Sequence, residues 1–366
     1  MGQPMRVGIV GCGAISGAYL QTFARLEAVR LVAVADIDAA RAQAVADEQG
    51  VRALTVDELV SDASVDVVLN LTIPAAHAEI ALKAIAAGKD VYGEKPLAAT
   101  LTDARRVLDA AVAAGVRVGC APDTVLGTGI QTARKAVDDG LIGTPIAATA
   151  TMVTAGHERW HPNPDFYYQP GGGPLLDMGP YYVTALVTLL GPVASVIGAT
   201  SNTRATRTIG SGPRAGETIP VNVGTHVTGV LVHESGALST LMMSFDAIAT
   251  RASNIEVHGT RASLIVPDPN GFDGDVRIRD LAGSDWTTLP VNAGYRGAAR
   301  GYGLADLATT RPDTEARANG QLAYQVLDIM QSLLDAARDG RSVDVASTCD
   351  RPATVPLGDA PGGVRE

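Results

Sequence analysis

Between Arg6 and Ala121 the chain alternates short Val-rich runs with Ala-rich amphipathic segments, and this alternation limits the fold more than any other feature. The runs "RVGIVG", "RLVAVAD", "VDVVLNLTI", "KDVYGE" and "VRVGCA" have the nearly continuous apolar character of strands buried on both faces. Between them, "AAHAEIALKAIAAG" and "TDARRVLDAAVAAG" carry helical periodicity and end at a Gly that can close a helix. Parallel strands need such crossovers, so the pattern predicts a doubly wound parallel sheet. After Pro122 the texture changes. One helix ("TARKAVDDG") precedes alternating runs, "IAATATMV", "THVTGVLVH", "LSTLMMSFDA" and "SNIEVHGT", which read as a large open, mostly antiparallel sheet. A long amphipathic helix, "NGQLAYQVLDIMQSLLDAARDG", follows, and the Pro/Gly-rich tail after Arg351 is expected to be loosely ordered. The expectation is an α/β protein divided at residues 1–121 and 122–350, with 351–366 as a tail.

Bulk properties exclude several classes. With 366 residues, 46% hydrophobic and 19% charged, the chain has material for two packed domains and is too apolar for wholesale disorder. A net charge of -10 makes nucleic acid and anionic membranes poor partners, although an anionic small molecule can bind through a local cluster. Cys12, Cys120 and Cys349 are odd in number and widely spaced, which fits a reducing, cytoplasmic setting rather than a disulfide framework. The first strand begins within a few residues of Met1 and no apolar run approaches spanning length, so neither a secretory leader nor a membrane helix is expected.

The first strand runs into "VGIVGCGAIS". Gly11 permits a tight turn, and Gly13 lets the backbone approach a pyrophosphate seated on the amides of the helix that opens at Ala14 and Ile15. Ser16 stands where a third Gly is usual. Asp36 ends the second strand, where a carboxylate accepts hydrogen bonds from ribose hydroxyls and repels a 2'-phosphate. These residues predict an NAD-binding Rossmann domain, with nearby Arg41 as the one feature favouring NADP.

A second motif points elsewhere. "HERWH", His157 to His161, matches the His-Glu-x-x-His zinc signature, which needs a helix to bring both imidazoles to one face. Gly156, Pro162 and Pro164 instead predict an extended, proline-stiffened loop, and no metal is expected. The loop's His, Trp and Tyr residues suit a site that holds a ligand.

Thr72, Pro74 and His77 follow one strand, and Glu94, Lys95 and Pro96 follow another, at the carboxyl edge where such sheets bind ligands. Further on, Gly171-Gly172-Gly173 leads to Asp177-x-Gly179-x-Tyr181. With the glycine loop, these residues resemble the glucose-fructose oxidoreductase, inositol dehydrogenase and MocA (Gfo/Idh/MocA) family over nearly the whole chain. The resemblance implies a dinucleotide-binding domain, then an α/β domain whose open sheet forms a homodimer or homotetramer interface and whose inner face closes the active site. It implies Lys95 as the catalytic lysine and Asp177 as the carboxylate that orients a sugar, glycoside or polyol. Tyr181 departs from the histidine that many members place there, leaving open whether it or a histidine of the 157–161 loop relays the proton.

The chemistry is coherent on its own terms. Pro180 suits the first turn of a helix, which would set Asp177 just before that helix and Tyr181 just inside it. An ammonium stabilises the oxyanion of a reacting alcohol while a phenol passes on its proton. Lys95, Asp177 and Tyr181 are therefore the expected catalytic residues. Gly11, Gly13, Ala14, Ile15, Asp36, Thr72, Pro74, His77, Glu94 and Lys95 are expected to bind cofactor. Asp123, His157, Trp160, His161 and Tyr168, with Asp177 and Tyr181, are expected at the substrate, Trp160 by stacking. The expected function is an NAD-dependent oxidoreductase that transfers a hydride between a sugar, glycoside or polyol hydroxyl and the nicotinamide. Two others stay open: an NAD-dependent glycosidase working by transient C3 oxidation, elimination, water addition and re-reduction, and a dinucleotide-sensing regulator, disfavoured by the catalytic set.

Overall fold

A computed structural model describes residues 3–311 and 314–365. The chain forms two compact units, one from Met1–Gln131, Asn292–Tyr324 and Pro352–Glu366, the other from Thr132–Val291 and Gln325–Arg351.

In the first unit the elements run β1 (Met5–Val10), α1 (Ser16–Phe23), β2 (Val29–Ala35), α2 (Ala39–Gln49), β3 (Arg52–Ala53), α3 (Val56–Ser61), β4 (Val67–Asn70), α4 (Pro74–Ala86), β5 (Asp90–Gly93), α5 (Leu101–Ala114) and β6 (Val118–Cys120). Among the described residues the six strands form a parallel sheet in the order β3-β2-β1-β4-β5-β6. Strand order reverses between β1 and β4, so their carboxyl ends border the crevice where such sheets bind ligands. Alternation along each strand fills both faces. Val7, Ile9, Val67 and Leu69 join one apolar cluster, while Val10, Val68 and Val91 join another with Leu59, Ile80 and Val107.

The first of those clusters also takes in Tyr302, Leu304, Leu307, Ala316 and Ala318, which lie far beyond residue 121. The linear division therefore differs from the observed units: the stretch 292–324 completes the apolar cover of the parallel sheet. The tail is likewise part of this unit rather than loose. Val355 is fully buried and donates its N–H to the Gln131 side chain, and backbone bridges join Pro356 to Ala293, Gly358 to Tyr295 and Val364 to Leu26.

The second unit contains most of α6 (Thr128–Asp138), then β7 (Pro145–Val153), α7 (Gly173–Leu190), β8 (Val193–Ser201), β9 (Thr206–Thr208), β10 (Thr218–Pro220), β11 (His226–His233), β12 (Leu238–Ser244), β13 (Ile255–Gly259), β14 (Ala262–Val266), β15 (Arg277–Asp280) and β16 (Thr287–Thr288). After α8 (Tyr302–Thr309) of the first unit come α9 (Gly320–Asp339), most of it in the second unit, and β17 (Val343–Asp344). Nine strands form one sheet, ordered β16-β15-β14-β13-β7-β12-β11-β8-β17 among the described residues. It is antiparallel apart from the β12–β7 pair. Helix α7 packs on β7, β11 and β12. It also approaches α9 so closely that a Cβ on Gly179 would lie 2.8 Å from the Met330 sulfur.

Two local expectations are corrected. Helix α7 begins at Gly173 with Pro174 in its first turn, so Pro180 lies inside the helix and Asp177 is helical. Pro174 already occupies the favoured starting position, and burial of the following apolar residues carries the helix through the second proline. The 157–168 segment is not extended: His157–Arg159 and Asp165–Tyr168 form short 3₁₀ turns.

Candidate active site

Each unit builds its own cluster of functional groups, and each is described by itself. In the first, Gly11 has φ +100° and lies so close to the β4 exit that a Cβ would sit 2.7 Å from the Leu71 carbonyl carbon and oxygen. A Cβ at Gly13 would meet nothing within 4 Å, which leaves open space beside the loop. Ser16 replaces the third Gly without crowding, because its hydroxyl turns back to the Gly13 carbonyl at 2.7 Å. Helix α1 has no side-chain cap at Ile15, so its first amides are not taken by a side chain. These features fit a dinucleotide pyrophosphate.

Asp36 is fixed by its surroundings. It accepts the Cys12 backbone N–H at 2.7 Å and the Asp38 N–H at 2.9 Å. Arg41 lies 3.5 Å from Asp36 and 3.4 Å from Asp38, so its guanidinium serves carboxylates already present. The adjacent Cys12 thiol is pushed up to about 11 by burial and by Asp36.

At the next strand ends, Asn70 is a buried polar residue closing an apolar strand. Its Oδ1 accepts from the Thr72 N–H and hydroxyl, and its Nδ2 donates to the His77 carbonyl. Pro74 opens α4. The buried His77 ring lies between two carbonyls, with Nδ1 2.6 Å from Pro96 O and Nε2 3.0 Å from Thr72 O. His77 thus ties the β4 exit to the segment after Lys95. The Lys95–Pro96 peptide is cis. Glu94 accepts from the Lys95 N–H at 3.1 Å and from the fully buried Tyr19 phenol at 2.8 Å. Burial raises the Tyr19 phenol far above its ordinary range, so it donates at any working pH. Lys95 itself is half-buried at this edge.

Asp123 lies inside the first unit. It is fully buried, accepts the Gly301 and Gly303 amides at 2.8 and 3.1 Å, and lies 3.5 Å from Arg300. Burial pushes its carboxyl up against the opposing pull of Arg300. Its work is to anchor the 300–303 turn, a correction to its expected place at the substrate.

In the second unit, Asp177 and Tyr181 are four residues apart on α7 and so share a helix face. Asp177 Oδ2 lies 3.2 Å from Nε2 of the buried His157, whose Nδ1 has no partner among the described residues. Aromatic neighbours fix the His157 ring: Trp160 at 5.2 Å, Tyr167 at 4.7 Å and Phe245 at 4.4 Å between centroids. Trp160 is 58% exposed and free to stack on a ligand, while His161 accepts the Asn163 N–H at 3.1 Å.

Tyr168, expected at the substrate, is instead completely buried and donates its hydroxyl to Glu158. Glu158 also pairs with the buried Arg207, which bonds to Asp246 in turn. This internal ion cluster holds the turn that carries His157. Glu158, Arg207 and Asp246 escaped sequence reasoning, although an Arg in the middle of the short strand "TRT" is the kind of signal that marks a buried pair. The two histidines and the glutamate of the zinc-like motif therefore have separate employment. Among the described residues no group of three or more His, Cys, Asp or Glu is placed to hold a metal ion, and no helix is long and apolar enough to cross a membrane.

Comparison with known proteins agrees with the fold. Residues 5–121 match the model of an oxidoreductase family with an NAD-binding Rossmann fold, and residues 130–265 match the GFO/IDH/MocA C-terminal domain. A 1,5-anhydro-D-fructose reductase of Ensifer adhaerens is 31% identical over 74% of this chain and 82% of its own length. An inositol 2-dehydrogenase of Agrobacterium fabrum is 37% identical over 42% of this chain and 46% of its own length. An NAD-binding oxidoreductase from Klebsiella pneumoniae superposes with a TM-score of 0.82 at 24% identity, covering 94% of this chain and all of its own. Levoglucosan dehydrogenase in complex with NADH and L-sorbose has the same fold, with a TM-score of 0.78 at 20% identity over 94% of this chain and 100% of its own.

Proposed function

The chain belongs to the Gfo/Idh/MocA oxidoreductase family, and from that premise we propose that it is an NAD-dependent dehydrogenase of a sugar, glycoside or polyol hydroxyl. The observation that carries this reading is the setting of Lys95: half-buried at the carboxyl edge of an NAD-binding sheet, with its backbone held by Glu94 and the following proline by His77. NAD, when bound, supplies the hydride acceptor. The chain's own residues do the rest. Lys95 donates a charge-assisted hydrogen bond to the reacting oxygen as its proton leaves. Tyr181 relays that proton, its hydroxyl oxygen accepting it while its own proton passes on to solvent, and the His157–Asp177 pair orients the substrate by accepting and donating at its other hydroxyls. Trp160 offers an exposed ring for the sugar face.

The relatives found are named as reductases and dehydrogenases, which supports net redox chemistry over the glycosidase cycle. For assembly, the register puts Ile197, Val230, Val232, Leu238 and Met242 on one face of the nine-stranded sheet, none of them fully buried. That apolar face supports a homodimer or homotetramer.

Replacing Lys95 with Ala tests the assignment. Turnover should fall by ~10² to 10⁴, the range for a positioned acid/base or oxyanion group, while the NAD dissociation constant changes little. Turnover within a few-fold of the parent enzyme would remove Lys95 from the chemistry.

A further inference from the structure

Beside the His157–Arg159 turn lies a pocket of about 580 Å³ lined by Glu158, Arg159, Arg204, Arg207, Thr206 and Thr208, with Gly210. Three of the seven lining residues are arginines and one is acidic, on a chain whose net charge is -10. Glu158 is already committed, since it binds Arg207 and accepts the Tyr168 hydroxyl. Arg207 is committed as well, between Glu158, Asp246 and the Phe245 carbonyl, although its Nε is buried without an acceptor among the described residues. Arg159 and Arg204 differ. Both are exposed, and neither guanidinium has an ion pair or hydrogen bond among the described residues.

Two uncommitted arginines beside two threonines form a receptor for an oxyanion, because guanidinium forks match carboxylate and phosphate oxygens and hydroxyls supply further donors. The pocket's position gives this a meaning. Arg159 is two residues from His157, which contacts Asp177, and the Gly210 N–H holds the turn to the β9 side by a 2.7 Å bond to the Glu158 carbonyl. The turn that carries His157 therefore also lines the arginine pocket. We infer that Arg159 and Arg204, with Thr206 and Thr208, bind an oxyanion carried by the substrate, so that the preferred substrates are anionic sugars or polyols. This rests on the dehydrogenase reading for what happens to the hydroxyl, and on the pocket alone for the anion.

The test separates the two. With the protein saturated in NAD to fill the pyrophosphate site, inorganic phosphate is titrated at low ionic strength by calorimetry, which needs no turnover. The parent protein should bind phosphate, and Arg159→Gln/Arg204→Gln should weaken that binding by at least ~10-fold, as expected for losing hydrogen bonds to a charged group. A sugar acid and a sugar phosphate, each competed against inorganic phosphate, tell which oxyanion fits. In turnover assays either anionic class should then exceed the matched neutral sugar in kcat/KM, with the advantage lost in the double variant through KM. Phosphate binding that is unchanged by the double substitution, or faster turnover of neutral sugars than of both anionic classes, would overturn the inference. Absence of turnover of every sugar by the parent protein, with phosphate binding that the double substitution still weakens, would count against the dehydrogenase reading and leave the anion site standing.

Discussion

Arg207→Met probes the ion cluster beneath the candidate site. The Arg207 side chain is 1% exposed, and its partners Glu158 and Asp246 are 6% and 14% exposed. Arg207 Nη1 donates to Glu158 at 3.1 Å and to the Phe245 carbonyl at 3.2 Å, and Nη2 donates to Asp246. Methionine fills much of the space but donates nothing. Among the described residues the Glu158 carboxylate then keeps the Tyr168 hydroxyl alone, and Asp246 keeps the Thr225 hydroxyl at 2.6 Å. Leaving a buried charge uncompensated typically costs ~3–5 kcal/mol. For a unit of this size that corresponds to a fall in Tm of roughly 6 to 20 °C. Scanning calorimetry reads the effect, and saturating NAD distinguishes the transitions because it raises that of the unit it binds. The triple variant Arg207→Met/Glu158→Gln/Asp246→Asn should recover most of the loss, since it removes the stranded charges together. A single variant within ~1 kcal/mol of the parent protein would refute the idea that this cluster holds the His157 turn.

Two further outcomes follow from charge placement. His233 is 1% exposed with Nδ1 2.8 Å from the Gly191 carbonyl and Nε2 2.8 Å from the Ser239 hydroxyl, which satisfies a neutral ring, and burial depresses its ionisation below the ordinary histidine value. The unfolded chain therefore binds a proton that the folded one refuses, so stability is present above about pH 6.5 and falls with acid by at most ~1.4 kcal/mol per pH unit. Urea unfolding of His233→Gln should show a shallower loss between neutral and mildly acid pH, and an identical slope in both proteins would dismiss the assignment. For the cofactor, Asp36 and the engagement of Arg41 with Asp36 and Asp38 should make NAD bind at least ~10-fold more tightly than NADP, from like-charge repulsion of the 2'-phosphate. Equal dissociation constants would show that Arg41 changes partners.

Much of this was readable from the chain because periodicity and punctuation are local. Five of the six parallel strands coincide with the Val-rich runs, the two-residue β3 lying outside them, and the glycine loop, Asp36 and the 94–96 segment lie where strand ends put them. Competition between two local signals was harder to read: Pro180 looked like a helix start only because Pro174 had not been given that role. Contacts distant in sequence left no trace at all. Tyr302 and Leu304 give no hint that they cover a sheet begun at Met5, nor Val355 that it will be buried beside Gln131. Tyr168 and Asp123 are types that often serve ligands, and burial alone reveals that one braces Glu158 and the other a turn. The zinc-like motif was dismissed from its glycine and prolines. The job its glutamate does depends on Arg207, 49 residues away.

In the proposed reaction hydride leaves the hydroxyl carbon and a proton leaves its oxygen, and no carbon–oxygen bond of the substrate is broken. Its most direct measurement uses a substrate deuterated at the oxidised carbon, following reduced cofactor, ketone or lactone product, and any released aglycone together. The expected result is one reduced cofactor per oxidised product, the deuterium carried on that cofactor, a slower rate than with the protiated substrate, and no aglycone. Aglycone released with only catalytic cofactor, and solvent hydrogen found at the neighbouring carbon, would contradict it.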